Sequence, residues 1–174
     1  MAGPLAGIRV VDLSSMLSGP WAADILGDQG ADVVQVEPPG TGDHVRSLPN
    51  HSGGLPAMFV NINRSKRSLT LNLNSADGVR TLLRLFATAD VVMQNLRPGV
   101  VERLDIGYEA ARAANPRIVY LSISGFWENG PYADRRVTCA STTWTSSPCA
   151  PIPPSTPTTC APRTSSTAST PGVS

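Results

Sequence analysis

Through the first 135 residues, apolar positions fall into short blocks with readable periods. Residues 8–13, IRVVDL, form a continuous apolar run of strand length. The Gly/Ser/Pro loop SSMLSGP follows, in which Ser18 can cap a helix and Pro20 suits its first turn. WAADILGDQG then sets Trp21, Ile25 and Leu26 on one helical face with Ala22 beside them, and Gly30 stands where such a helix stops. ADVVQVE at 31–37 reads as a second strand. This strand–helix–strand unit takes about thirty residues, the size of a right-handed βαβ crossover.

PPGTGD at 38–43 breaks regular structure, and the polar, Gly-rich stretch 46–55 reads as a surface loop. SLTLNL at 68–73 alternates like a half-exposed strand. Ser75 caps a helix, ADGVRTLLRLFATA, whose buried stripe is Leu82, Leu83, Leu85 and Phe86. DVVMQ at 90–94 is a strand, and NLRPG at 95–99 turns the chain at its carboxyl end. A short helix near Val100, a helix over 108–114 and a strand over 117–122 complete the pattern. The order predicts an α/β domain: a largely parallel sheet with flanking helices. Ligands of open parallel sheets sit at the carboxyl ends of the strands. Here those ends are the loops at 14–19, 37–43, 95–99 and 124–130.

Composition changes the picture at the far end. The 174 residues carry a net charge of +1, too little basic surface for a nucleic-acid partner or a polybasic membrane anchor. No apolar run approaches a membrane span, and the N-terminus lacks the charged and apolar regions of a signal peptide, so the expected compartment is the cytoplasm. Ser, Thr and Pro dominate 136–174, which holds no Leu, Phe, Tyr, Asp, Glu, His or Lys. That segment is expected to be a disordered low-complexity tail, separate from a domain over 1–135. All three cysteines, Cys139, Cys149 and Cys160, fall in it at spacings that match no zinc pattern, and read as free thiols.

The usual motifs of nucleotide chemistry are missing. The loop after the first strand lacks G-x-G-x-x-G, although Glu37 ends the second strand where an acid could hold a ribose. There is no P-loop, H-E-x-x-H or C-x-x-C, so no metal is expected. His44 and His51 are candidate bases that read more simply as exposed loop residues. Arg64, Lys66 and Arg67 suit either phosphate attraction or protection of a sheet edge. Arg97 and Arg103 flank a Pro-Gly turn, placed either to grip an anionic cofactor or to pair with Glu102 or Asp105.

Five segments in order resemble one family: PLAGIRVVDLSSMLSGP, ILGDQGADVVQVEPPGTGDHVR, NRSKRSLTLNLNS, ADVVMQNLRPGVVERL and NPRIVYLSISGFWENGPYADR. Together, over 4–135, they resemble the family III coenzyme A transferases, which include formyl-CoA and carnitine-CoA transferases and the related α-methylacyl-CoA racemases. The resemblance implies acyl-CoA thioester substrates, a CoA site in a Rossmann-like domain, and full-length relatives that form interlocked homodimers. It implies CoA contacts from the turn Asn95, Leu96, Arg97, Pro98 and Gly99, a place beside the adenine for Leu71, and a contact of Arg103 with the nucleotide's charged end. The stretch Gly40, Gly42, Asp43 and Arg46 fits a family pattern in which Arg46 anchors the loop. Transferase-like wording in GTGDHVR and NRSKRSLTLNL favours CoA transfer between carboxylic acids over racemisation.

The departures matter too. Relatives often carry His and Gln where this chain has Ser15, Met16, Leu17 and Ser18, an arginine where it has Pro38, and a glycine where it has Trp127. The resemblance implies an aspartate nucleophile for transfer, or an aspartate–histidine pair for racemisation, downstream of the ADR segment. The tail supplies none of these groups. The expectation is a fragment that ends its resemblance before the catalytic aspartate, through a frameshift just after Arg135, is inactive alone, and cannot interlock. A residual CoA-binding module is the alternative reading.

Overall fold

The computed structural model describes residues 3–49, 51–125 and 141–145. A first strand, β1 (Arg9–Asp12), leads through helix α1 (Ser18–Asp28) to β2 (Asp32–Glu37), the crossover unit expected from the sequence. A 3-10 turn (His44–Ser47), a small hairpin of β3 (His51–Ser52) and β4 (Leu55–Pro56), and helix α2 (Ala57–Ile62) come next. Then follow β5 (Lys66–Thr70), α3 (Ala76–Phe86), β6 (Val91–Gln94), α4 (Val100–Arg103), α5 (Tyr108–Ala114), β7 (Val119–Ser124) and β8 (Ser141–Thr145).

The main sheet runs β5-β2-β1-β6-β7-β8. Its first five strands are parallel, and β8 lies antiparallel to β7. Successive side chains on a strand face opposite sides, so adjacent residues feed two separate cores. Val11, Val92 and Tyr120 pack under α3 and α5 with Leu82, Phe86 and Ala111. Val10, Val33 and Met93 pack on the other side with Ala23 of α1. The chain leaves β1 for β2 on one side and later returns to β6 on its other side. The strand order therefore reverses at β1, where such sheets open a crevice at the strands' carboxyl ends.

Several expectations are corrected. Trp21 and Ile25, expected on the buried face of α1, are 54% and 46% exposed. The buried side holds Gly19, Pro20, Ala23 and Asp24 instead. The start of the helix and the loop after β1 approach so closely that only a small residue fits at position 19: a Cβ on Gly19 would fall 2.2 Å from the side chain of Ser14. Ser18 is the first residue of α1 rather than its cap, and no side chain caps that end. Ser75 does cap α3, its hydroxyl accepting from Gly78 N–H at 3.1 Å. Gly30 takes φ +100°, as its stop position requires. The expected loop over 46–55 is partly ordered by the hairpin, and Phe59 and Ile62 of α2 form a third small core with Val45. Ser141–Thr145 forms β8 within the segment expected to be disordered. The cysteines, Trp127 and the rest of that tail lie outside the described residues.

Candidate functional site

A cleft of about 510 Å³ opens at the carboxyl ends of β1, β2 and β5, against the turn after β6. Leu13, Ser15, Glu37, His44, Leu71 and Leu96 are among its walls. The loop after β1 forms one wall. Ser15 N–H donates to Asn95 Oδ1 at 2.9 Å, and Asn95 Nδ2 donates to the Ser15 carbonyl at 2.7 Å. Asn95 thus satisfies both backbone groups of one loop residue from the neighbouring strand end. Met16 follows with φ +70°, a left-handed conformation that costs a side chain of its kind free energy. Its N–H is held by Asp43 Oδ1 at 3.2 Å. The same oxygen accepts from Val45 N–H at 3.0 Å, capping the 3-10 turn.

Beneath the loop, Asp12 is fully buried at the end of β1. One of its oxygens accepts from both Ser14 N–H, at 2.9 Å, and the Ser14 hydroxyl. The other accepts from Lys66 Nζ at 3.0 Å. Lys66 also donates to the Pro20 carbonyl at 2.8 Å and to Asn63 Oδ1 at 2.9 Å, so all three ammonium hydrogens have acceptors. One buried ion pair joins β1, β5, α1 and the residue that follows α2.

Glu37 closes the cleft floor. Its carboxylate receives two parallel bonds from Arg46 at 2.8 Å, one from Ser68 Oγ at 2.6 Å and one from Asp43 N–H at 3.0 Å. The Arg46 bonds, outweighing burial, bring its pKa down to about 2. The Arg46 guanidinium lies 3.9 Å over the Phe59 ring. Gly42 makes this possible: it sits at φ +63°, and a Cβ there would fall 2.7 Å from the Arg46 side chain. Glu37 is thereby a structural anchor with both oxygens engaged, not a free ribose acceptor. Arg46 is the loop anchor expected of it.

The residues singled out from the sequence spread over three adjoining hollows. Leu71 and Leu96 line the cleft. Arg97 lines a polar pocket of about 250 Å³ with Gln94, Glu102 and Ser122. Arg103 lines an open groove of about 880 Å³ along α3. Asn95 acts through its clamp on Ser15. Neither Arg97 nor Arg103 forms the ion pair with Glu102 or Asp105 that was the alternative reading of each, among the described residues. The cluster at 64–67 is engaged by carboxylates: Arg64 pairs with Asp24 and Asp28, Lys66 with Asp12, and Arg67 with Asp32. Arg67 does lie on the edge strand β5. His44 is exposed at the cleft rim, and His51 lies on the hairpin. Among the described residues, no group of His, Cys, Asp or Glu gathers as a metal site. The buried partners Asp12 and Asp43 were not assigned their roles from sequence, because each acts on backbone donors that only the folded loop brings near.

Residues 5–149 match the model of CoA-transferase family III. The match runs past Arg135 and through β8. The chain is 42% identical over 142 residues to an acyl-CoA transferase of Fusarium pseudograminearum, covering 76% of this chain and 31% of that one. It is 41% identical over 131 residues to the acetyl-CoA:oxalate CoA-transferase of Acetobacter aceti, covering 75% and 34%. A crystal structure of a CAIB/BAIF family protein from Brucella suis superposes with a TM-score of 0.74 at 40% identity, covering 79% of this chain and 37% of that one. The chain spans about a third of the length of the curated relatives it matches.

Proposed function

The chain belongs to CoA-transferase family III, and from that premise we propose that it binds the coenzyme A part of an acyl-CoA thioester in the cleft at the carboxyl ends of β1, β2 and β5. The observation that carries this reading is the Asn95–Ser15 clamp, which joins the loop after β1 to the turn after β6 along one side of the cleft. In this reading Leu71 packs beside the adenine, Asn95, Leu96 and Arg97 follow the chain of the coenzyme, and Arg103 meets its phosphates. Guanidinium groups hold phosphate through paired, charge-assisted bonds.

The activity proposed for the whole enzyme is transfer of CoA between carboxylic acids. Relatives named as acyl-CoA, acetyl-CoA:oxalate and succinate–glutarate CoA-transferases favour it over racemisation. Transfer through a covalent intermediate needs a carboxylate free to attack the thioester carbonyl. Of the cleft's carboxylates, Glu37 is bonded to Arg46 and Ser68, and Asp43 accepts from two backbone N–H groups. After Asp134 the sequence holds no Asp, Glu or His. For these 174 residues the proposal is therefore binding without exchange. The proposed setting is the cytoplasm; among the described residues, no helix is long and apolar enough to cross a membrane.

Isothermal titration with CoA, run beside assays of thioester exchange and α-carbon racemisation, tests this. The expected result is CoA binding with neither turnover. Absence of binding overturns the site, and clear exchange by the pure chain overturns the argument about the nucleophile.

A further inference from the structure

In the loop after β1, three consecutive backbone N–H groups each meet a side-chain oxygen from a different strand end. Ser14 N–H donates to Asp12 Oδ1 at 2.9 Å, Ser15 N–H to Asn95 Oδ1 at 2.9 Å, and Met16 N–H to Asp43 Oδ1 at 3.2 Å. Asp12 ends β1, Asn95 follows β6 and Asp43 lies beyond β2, so the three strands that meet at the crevice each hold one residue of the loop. Of the three loop residues, Met16 alone has positive φ, at +70°. The other non-glycine residues with positive φ among the described residues are Ser65 and Asp105, whose short polar side chains can bond their own backbone. Methionine has no such group, and its side chain here is 47% exposed, so packing does little to hold the turn. Asp43 is held in its turn. It is buried, its own N–H donates to Glu37 Oε1 at 3.0 Å, and Glu37 is clamped by Arg46.

Resting on the CoA-binding reading, we propose that Asp43 is a positioning residue of the coenzyme A site. It anchors Met16 in a left-handed turn that methionine disfavours, and through that turn it fixes Ser14 and Ser15, which line the cleft. Such a conformation persists only where the surroundings over-determine it. Without the Asp43 bond the Met16 backbone relaxes to negative φ, and the cleft wall is formed in only a fraction of the molecules. Apparent affinity falls by that fraction. Asp43 has a second duty, accepting from Val45 N–H at 3.0 Å to cap the 3-10 turn. That duty is indifferent to the residue at position 16, so the two can be separated by experiment.

The test is a double-mutant cycle on the full chain, read by titration calorimetry with CoA. Asp43→Ser is compared with wild type, and then again in a Met16→Gly background. Serine keeps an oxygen able to cap the 3-10 turn, but its side chain is one bond too short to reach Met16. Glycine adopts positive φ without the steric cost. With Met16 present, Asp43→Ser is expected to weaken CoA binding by roughly tenfold, the order of one lost hydrogen bond to a charged acceptor. In the Met16→Gly background the same substitution is expected to cost about threefold or less, because the turn no longer needs to be forced. Asp43→Asn keeps an acceptor oxygen in place and is expected to lose less than Asp43→Ser. Thermal unfolding gives a second measurement that does not depend on the Asp43 variants: Met16→Gly is expected to unfold at a higher temperature than wild type, and a midpoint no higher overturns the proposal. Equal losses in the two backgrounds assign Asp43 to the 3-10 turn alone, and overturn the proposal while the CoA site stands. If wild type does not bind CoA, the CoA reading falls and the positioning role falls with it.

Discussion

Asn95 holds Ser15 by both of its backbone groups, with Ser15 N–H donating to Oδ1 at 2.9 Å and Nδ2 donating to the Ser15 carbonyl at 2.7 Å. The two residues are 80 positions apart, brought together because β6 lies beside β1. An asparagine side chain is here imitating a strand partner, donor and acceptor in one plane. The loop after β1 has no regular structure of its own, and this pair fixes its middle, between the bonds of Asp12 to Ser14 and of Asp43 to Met16.

Replacing Asn95 by Ala removes both bonds and leaves a partly buried amide and carbonyl without partners. CoA affinity is expected to fall by roughly ten- to a hundredfold, equivalent to about 1–3 kcal/mol. Asn95→Asp is expected to lose affinity as well, since it keeps the acceptor but offers no donor to the Ser15 carbonyl. Calorimetric titration of both variants with CoA checks this. Wild-type affinity in either would show that the clamp does not shape the site.

The ion pair between Lys66 and Asp12 has side-chain exposures of 1% and 0%. Lys66→Met leaves the Asp12 carboxylate buried with only Ser14 as donor, and is expected to cost about 3–5 kcal/mol of stability. Pairing it with Asp12→Asn removes the stranded charge, so the double variant is expected to be more stable than Lys66→Met alone. Urea unfolding of the two single variants and the double one gives the coupling directly.

These partners also mark how far the sequence could be read. The crossover unit, the helix at 76–86 and the last parallel strand were legible because each has a clear apolar period and a stop or cap of its own, such as Gly30 and Ser75. Helix α1 misled because apolar residues occupy both of its sides; the sheet took the side with Gly19 and Ala23 for their small size, and hydrophobicity alone favours Trp21. Residues 57–62 are too short and too irregular to announce a helix. Asn95 could be singled out through the family resemblance, but Ser15 as its partner could not, since that contact exists only once the strand order is known. Arg64, Lys66 and Arg67 looked like one basic cluster, yet their four acidic partners come from three different elements, α1, β1 and β2.

Glu37 makes acid stability depend on one carboxylate. Its pKa lies at about 2 in the fold against 4.5 for the free group. A carboxylate with a lowered pKa contributes stability above its unfolded value and loses it as pH falls toward the folded value. The contribution here is about 3 kcal/mol, from the size of the lowering. Wild type is expected to lose it progressively between pH 4.5 and about 2. Glu37→Gln is expected to be less stable at pH 6, with the difference shrinking toward pH 2. Denaturant unfolding at a series of pH values checks both; a constant difference across the series would remove the ionic account of the Arg46 bond.

Asp24 carries the opposite sign. It is fully buried on α1, and neither of its oxygens accepts a hydrogen bond among the described residues, although Arg64 Nη1 stands 2.9 Å from Oδ2. Burial raises its pKa, and the neighbouring Asp28 adds to this, while Arg64 offsets part of the rise. An acid with a raised pKa favours the fold only while protonated, so its penalty grows as pH climbs from 3.8 through the raised value and is fully present at neutrality. Arg64 does not need it, being bonded to Asp28 as well. Asp24→Leu therefore exchanges an unsolvated charge for apolar contact, and is expected to stabilise the chain by about 1–2 kcal/mol at pH 7. Below the raised pKa the gain should shrink, because protonated Asp24 no longer carries the charge that the substitution removes. Thermal unfolding of Asp24→Leu and wild type at pH 3.5 and pH 7 decides it: a loss of stability at pH 7 would mean that the Arg64 contact outweighs the desolvation of Asp24.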